Sequence, residues 1–290
     1  MKVTSRFLLT VGMCFAMLFW GITWSVSKLL TSMSPIHVLI FWRYFISSVF
    51  CIPILLWTKS SLRISVRDGF FILMGVFLQF LQQWLSLRGL SQGGFAGIGG
   101  VLVCTLSPMF TFILCALFFK KPFHFKEIVW IILGLIGMVI LVHLWAVDPR
   151  LILSAGLVYF MGSAMAWSLF SLAVEPHRLH PFVFAFYLYT CTALLSACIY
   201  FKDITLHTPT LGHLDFWTLL LYLSILGTVF ATGVFLYATS KLGAKPVSAF
   251  AFMVPVVSVI SSYLFLQEPI TIYTLVGGSL MLGAVYGLSK

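Results

Sequence analysis

Apolar runs of about twenty residues, separated by short polar breaks, set the pattern of this chain from end to end. A helix rising 1.5 Å per residue crosses a hydrocarbon core of roughly 30 Å in about 20 residues. Ten runs reach that length, at 7–30, 35–57, 69–90, 94–119, 127–145, 151–173, 181–201, 216–240, 246–267 and 270–288. Most breaks between them are very short, so consecutive helices are expected to be neighbours. The longest, roughly 202–215, carries His207, Pro209, His213 and Asp215. Pro35, Pro181 and Pro246 open predicted helices, where a missing N–H has no bond to lose. The first run, behind Lys2 and Arg6, is too long for a signal peptide and no small-residue cleavage site follows it, so it is expected to be a membrane helix.

The runs also repeat. Ser107–Pro122 (SPMFTFILCALFFKKP) returns as Val254–Pro269 (VPVVSVISSYLFLQEP), with Pro108, Leu117, Phe118 and Pro122 matching Pro255, Leu264, Phe265 and Pro269 at one spacing of 147 residues. Pro35 and Pro181 match at 146. Four matches in a single frame point to a duplication, and five helices per copy is an odd number. The second copy must then enter the membrane upside down. The predicted fold class is an all-α integral membrane protein of ten transmembrane helices in two inverted five-helix repeats, residues 1–146 and 147–290. Such repeats commonly hold a substrate near the midplane between the halves.

Composition sharpens this reading. The chain is 61% hydrophobic and 8% charged, against about 25% charged in a soluble domain. A net charge of +10 raises the question of nucleic acid, but the basic residues punctuate apolar runs and do not gather on a solvated face. With the N-terminus in the cytoplasm, twelve Lys and Arg lie at cytoplasmic helix ends (2, 6, 59, 63, 67, 120, 121, 126, 178, 241, 245 and 290). Four lie outside (28, 88, 150 and 202), and Arg43 is within a helix. The bias places both termini inside. All six cysteines fall in apolar runs and read as small hydrophobes.

Trp20-Gly21, Pro35 with Arg43, Pro108 and Pro255 thirteen residues before a charged position, Glu268-Pro269 and Gly277-Gly278 carry a resemblance to a known family. The chain resembles the drug/metabolite transporter superfamily, in its EamA type of ten helices in two repeats, over essentially its whole length. That resemblance implies transport of a small metabolite, often export of amino acids or related compounds, across the inner membrane by alternating access. It also implies a central cavity lined by helices one to four and six to nine. Two departures stand out: Lys121 replaces the expected acidic partner of Glu268, and Trp130 stands where Gly277 calls for a small residue. A flippase for a lipid-linked intermediate is the alternative that related small members suggest.

Arg43 is the one clear charge inside a helix, about 12 Å from Pro35. An intramembrane charge marks a functional site by default; a structural or gating role is the favoured reading, with contact to a substrate carboxylate or phosphate the alternative. Gln79, Gln82 and Gln83 share a face at i, i+3 and i+4, with Trp84 beside them, and must look into the bundle. Trp20 and Trp24 in the first helix suit an aromatic wall, as do Trp167 and Phe170 in the sixth. Thr228 and Thr232 share a face, with Tyr237, Ser248 and Phe252 as weaker cavity candidates. Pro108 and Pro255 remove bonds to the carbonyls of Cys104 and Ala251, and with Gly97 form the candidate hinge and gate. The run Gly93–Gly100 suits close helix approach.

No acid lies deep in a helix, which argues against carboxylate-based proton coupling and for facilitated diffusion or exchange. No HExxH, serine elbow or paired aspartates occur, so catalysis is not expected. No metal and no cofactor is expected, since His207 and His213 are irregularly spaced. The expected partners are a small-molecule substrate and the lipid bilayer, with nucleic acid excluded and a homodimer left open.

Overall fold

Helices account for the architecture, and no strand occurs among the described residues. The computed structural model describes residues 3–58, 61–119, 125–143, 156–174, 179–207, 213–242, 250–251 and 253–288. In chain order the helices are α1 (Val3–Met33), α2 (Ile36–Thr58), α3 (Val66–Ser91), α4 (Ala96–Phe119), α5 (Phe125–Leu141), α6 (Leu157–Val174), α7 (Pro181–His207), α8, α9 (Met253–Leu266) and α10 (Ile272–Leu288). Helix α8 is composite: an α-helical turn pair Leu214–Leu221, a π-helical stretch Tyr222–Phe230, and an α-helical end Ala231–Leu242.

The predicted runs all became helices, with local chemistry fixing their ends. Ser65 caps α3 through a reciprocal pair with Asp68, a capping box that satisfies two otherwise orphaned amides. Six helical stretches are long and apolar enough to cross a membrane: Phe7–Met33, Ile36–Thr58, Val66–Ser91, Ala96–Leu114, Pro181–His207 and Leu214–Phe235. Helices α6, α9 and α10 are apolar but shorter. The predicted runs 151–173 and 246–267 both begin in residues outside the described set.

The principal helix contacts are α2 with α7, α3 with α6, α4 with α6, α4 with α9, α1 with α9, α1 with α8, and α5 with α10. Exchanging α1–α5 for α6–α10 maps this set onto itself. The pairs α2·α7, α4·α9 and α5·α10 map to themselves, while α3·α6 becomes α8·α1 and α4·α6 becomes α9·α1. Each self-mapped pair runs antiparallel. On α2 and α7, His37 stacks on Tyr200 whereas Tyr44 meets Tyr189. On α4 and α9, Gly97 lies against Ser262 and Gly100 against Ser258. On α5 and α10, Gly134 lies against Ala284 and Gly137 against Met281.

Small residues set these distances. A β-carbon on Gly277 would fall 2.6 Å from the Gly137 carbonyl oxygen and still closer to the Leu141 nitrogen, so this crossing is backbone on backbone. Trp130, the departure from the repeat pattern, is accommodated at the other end of the crossing, where its indole lies directly over Gly287.

The prolines behave unequally. Helix α4 continues through Pro108, and the neighbouring carbonyl of Ser107 accepts a bond from Ser168 on α6 at 2.7 Å. Pro255 instead lies in the first turn of α9, which begins at Met253. The Ala251 carbonyl, expected to be freed by Pro255, accepts from the Val254 amide at 3.1 Å. Pro255 therefore stands at a helix start and not within a helix like Pro108, because a turn at Ala251 already precedes it.

Candidate substrate-binding site

The polar residues singled out on α2, α3 and α8 come together. Arg43, on α2, donates from Nε to Thr228 Oγ1 at 3.1 Å and from a terminal nitrogen to Gln83 Oε1 at 2.8 Å. Gln83 donates to Gln82 Oε1 at 2.9 Å. Gln82 donates in turn to Ser86 and to Ser163 on α6, at 3.2 and 3.1 Å, and Ser86 and Ser163 are joined at 2.6 Å. One continuous hydrogen-bonded chain therefore crosses the bundle from α8 through α2 and α3 to α6.

The π-helical stretch places the α8 end of this chain. Its wider winding pairs each N–H with the fifth carbonyl before it and is frequent at functional sites. Thr228 Oγ1 donates to the carbonyl of Leu223 at 2.8 Å, five residues back, which leaves its lone pairs for Arg43. Ser47, one turn on from Arg43, bridges the helices by bonding both the Arg43 carbonyl at 2.8 Å and the Ser224 carbonyl at 3.2 Å. The Ser224 hydroxyl is buried there without a partner.

Charge is the notable feature. Both acceptors of Arg43 are neutral, and among the described residues no carboxylate lies within ion-pair distance of it. Gln79 and Gln82 are buried and held by neighbours: Gln79 donates to the Tyr44 hydroxyl at 2.6 Å. Arg43 and Gln83 stay half-buried. Of the three glutamines on one face, two brace the bundle, and Gln83 remains beside Arg43 at its accessible edge. Tyr44, Tyr189, Ser86, Ser163 and the π-helical stretch were not singled out from sequence. Tyr44 packs on Tyr189 with ring centroids 5.8 Å apart.

The aromatic candidates disperse. Trp24 meets Phe160 edge-on at 6.0 Å, Trp20 packs on Phe235 at 5.3 Å, and Trp84 meets Tyr159 at 6.4 Å. Trp167 stacks on Phe170 at 5.3 Å and is 36% exposed. Phe160 itself is fully buried against Gly89, Gly94 and Gly99, so the glycine run serves close packing. Ser248 and Phe252 lie outside the described residues. Tyr237 is exposed.

Residues 8–143 and 154–290 match the EamA-like transporter family. The chain belongs to that family. Relatives of this EamA-like transporter carry the same description of role. A protein of Salmonella typhimurium (strain LT2), named a probable amino-acid metabolite efflux pump, is 22% identical over 276 residues, spanning 92% of this chain and 90% of its own. The uncharacterized transporter YvbV of Bacillus subtilis (strain 168) is 21% identical over 282 residues, 91% of this chain and 86% of its own. An uncharacterized transporter of Archaeoglobus fulgidus is 25% identical over 199 residues, 66% of this chain and 67% of its own. A crystal structure with 21% sequence identity superposes with a TM-score of 0.66, covering 97% of this chain and 96% of that one; it shares the fold. The family and these relatives are transporters and not enzymes.

Proposed function

We propose that this EamA-like protein is a secondary transporter that exports a small carboxylate-bearing metabolite, an amino acid or a close relative, across the inner membrane by alternating access. Its ten helices cross the bilayer as two inverted repeats, 1–146 and 147–290, with both termini cytoplasmic. The antiparallel pairing of α2 with α7, α4 with α9 and α5 with α10 supports the inversion, as does the exchange symmetry of the helix contacts. The relative named as an amino-acid metabolite efflux pump supports the substrate class.

The observation that carries the reading is Arg43. A guanidinium inside an apolar bundle is expensive unless its charge is met, and its described partners are neutral. A solute carboxylate supplies the missing charge and matches the planar fork of the guanidinium. Ionised amino acids bring that group at neutral pH. The described part of the network contains no acid, which favours exchange or facilitated diffusion over proton coupling.

Counterflow in proteoliposomes loaded with single solutes tests this. Amino acids and related carboxylates are expected to exchange, nucleosides and neutral sugars not, and Arg43→Ala to lower the rate at least about tenfold. An unchanged rate in Arg43→Ala overturns the assigned role of Arg43. Exchange of a labelled lipid in place of any soluble solute transfers the protein to the flippase reading.

A further inference from the structure

Away from the Arg43 network, one carboxylate among the described residues is buried. Glu268 follows α9 and is only 7% exposed. Its two oxygens accept from the first amides of α4, Ala96 N at 2.8 Å and Gly97 N at 3.0 Å. These amides have no partner within their own helix and carry the positive end of its dipole. Lys28, near the end of α1, lies 3.3 Å from Glu268 Oε1. Its ammonium also donates to the Gly94 carbonyl at 2.7 Å and sits 5.4 Å over the Phe95 ring. One carboxylate thus ties together the ends of α1, α4 and α9.

The same end of the bundle is packed shut by small residues. Gly97 and Gly100 admit Ser262 and Ser258, and Gly21 admits Val257. Ser25 and Ser261 share a hydrogen bond at 2.8 Å between α1 and α9. Such a seam holds little adhesive energy of its own in lipid, where helix contacts rest on packing and hydrogen bonds. The charge-assisted bonds of Glu268 are the strongest links across it.

We propose that Glu268 is the latch that keeps this end closed, and that its release from the α4 amides and Lys28 is required for the end to open. Resting on the transporter reading and its orientation, this is the outer mouth of the path. At the spacing of 147 residues, Lys28 and Glu268 correspond to Glu175 and Lys121. A lysine cannot accept bonds from helix amides, so Lys121 lacks the carboxylate chemistry of the Glu268 cap, while the opposite charges of the pair are kept and exchanged.

Thiol labelling of the full-length protein in proteoliposomes tests the latch and needs no substrate, so it stands apart from any failure of the carboxylate reading. In a cysteine-free background, Ser261→Cys reports the latched seam and Ala238→Cys, fully buried elsewhere, is the control. Glu268→Gln and Lys28→Met are expected to speed labelling at 261 by an impermeant maleimide about tenfold, with no change at 238. Lys28→Arg, which keeps the charge, is expected to leave labelling at 261 slow. Equal labelling at 261 with and without Glu268, or an equal rise at 261 and 238, overturns the latch.

Discussion

At the scale of the residue, Arg43 is defined by its neighbours being neutral. Thr228 and Gln83 fix the guanidinium plane without neutralising it, so orientation and charge can be varied separately. Arg43→Gln removes the charge and should weaken the apparent affinity for a carboxylate solute about 10- to 100-fold, the scale of a lost charged hydrogen bond. Arg43→Lys keeps the charge but loses the fork and should fall between. Thr228→Val removes one neutral acceptor and should cost no more than about tenfold. The concentration dependence of counterflow measures all three. If Arg43→Gln and Thr228→Val weaken affinity equally, charge is not what Arg43 contributes.

The residue scale also shows how far a sequence discloses a site. Arg43 stood out because a lone charge in an apolar helix has few explanations. The glutamine face stood out because i, i+3 and i+4 fix a common direction on any helix. Which glutamines would be consumed was not legible, since Gln79 and Gln82 are held by Tyr44, Ser86 and Ser163, contacts made only when α2, α3 and α6 meet. Glu268 was read as a helix-end acid, and it is one. Its burial depends on α1 and α4 closing over it, which nothing near it in the chain announces.

At the scale of the element, apolar length and paired prolines were enough to place the helices, while their internal departures were hidden. The π-helical stretch of α8 lies in an ordinary apolar run, LYLSILGTVF, and follows from what Ser47, Arg43 and Thr228 exchange across the α2 contact. Pro255 illustrates the opposite error, since a proline inside an apolar run suggests a kink wherever the helix is assumed to be continuous. The α5–α10 crossing supplies a test of element packing. Trp130 lies over Gly287, so Gly287→Ala should lower the apparent melting temperature in detergent, with a destabilisation of about 1–3 kcal/mol from overpacking. Trp130→Ala should relieve that clash, giving a coupling of about 1 kcal/mol or more in the double mutant. Gly283→Ala, with nothing within 4 Å of its added β-carbon, should be close to neutral. Strict additivity of the Trp130 and Gly287 changes would mean that the two helices do not cross as described.

At the scale of the whole molecule, the repeats and the membrane impose one relation. On the proposed inverted-repeat topology, counterparts five helices apart face opposite sides of the bilayer. The 146-residue spacing that links Pro35 with Pro181 carries Thr58, at the end of α2, to the residue beside Thr205, near the end of α7. Both threonines are exposed, and α2 and α7 lie antiparallel against each other, so their far ends emerge at opposite faces. On the proposed orientation, Thr58 belongs to the cytoplasmic side with Arg63 and Arg67, and Thr205 to the outer side with Lys202. Single cysteines at the two positions, in a cysteine-free background, should therefore label differently in intact cells. A membrane-impermeant maleimide added outside should modify Thr205→Cys at once and Thr58→Cys only after permeabilisation. The reverse order would keep the inverted repeat and turn the protein over, placing the Glu268 latch at the cytoplasmic mouth. Labelling of both from one side would remove the inversion itself, and with it the symmetry on which alternating access between two equivalent halves depends.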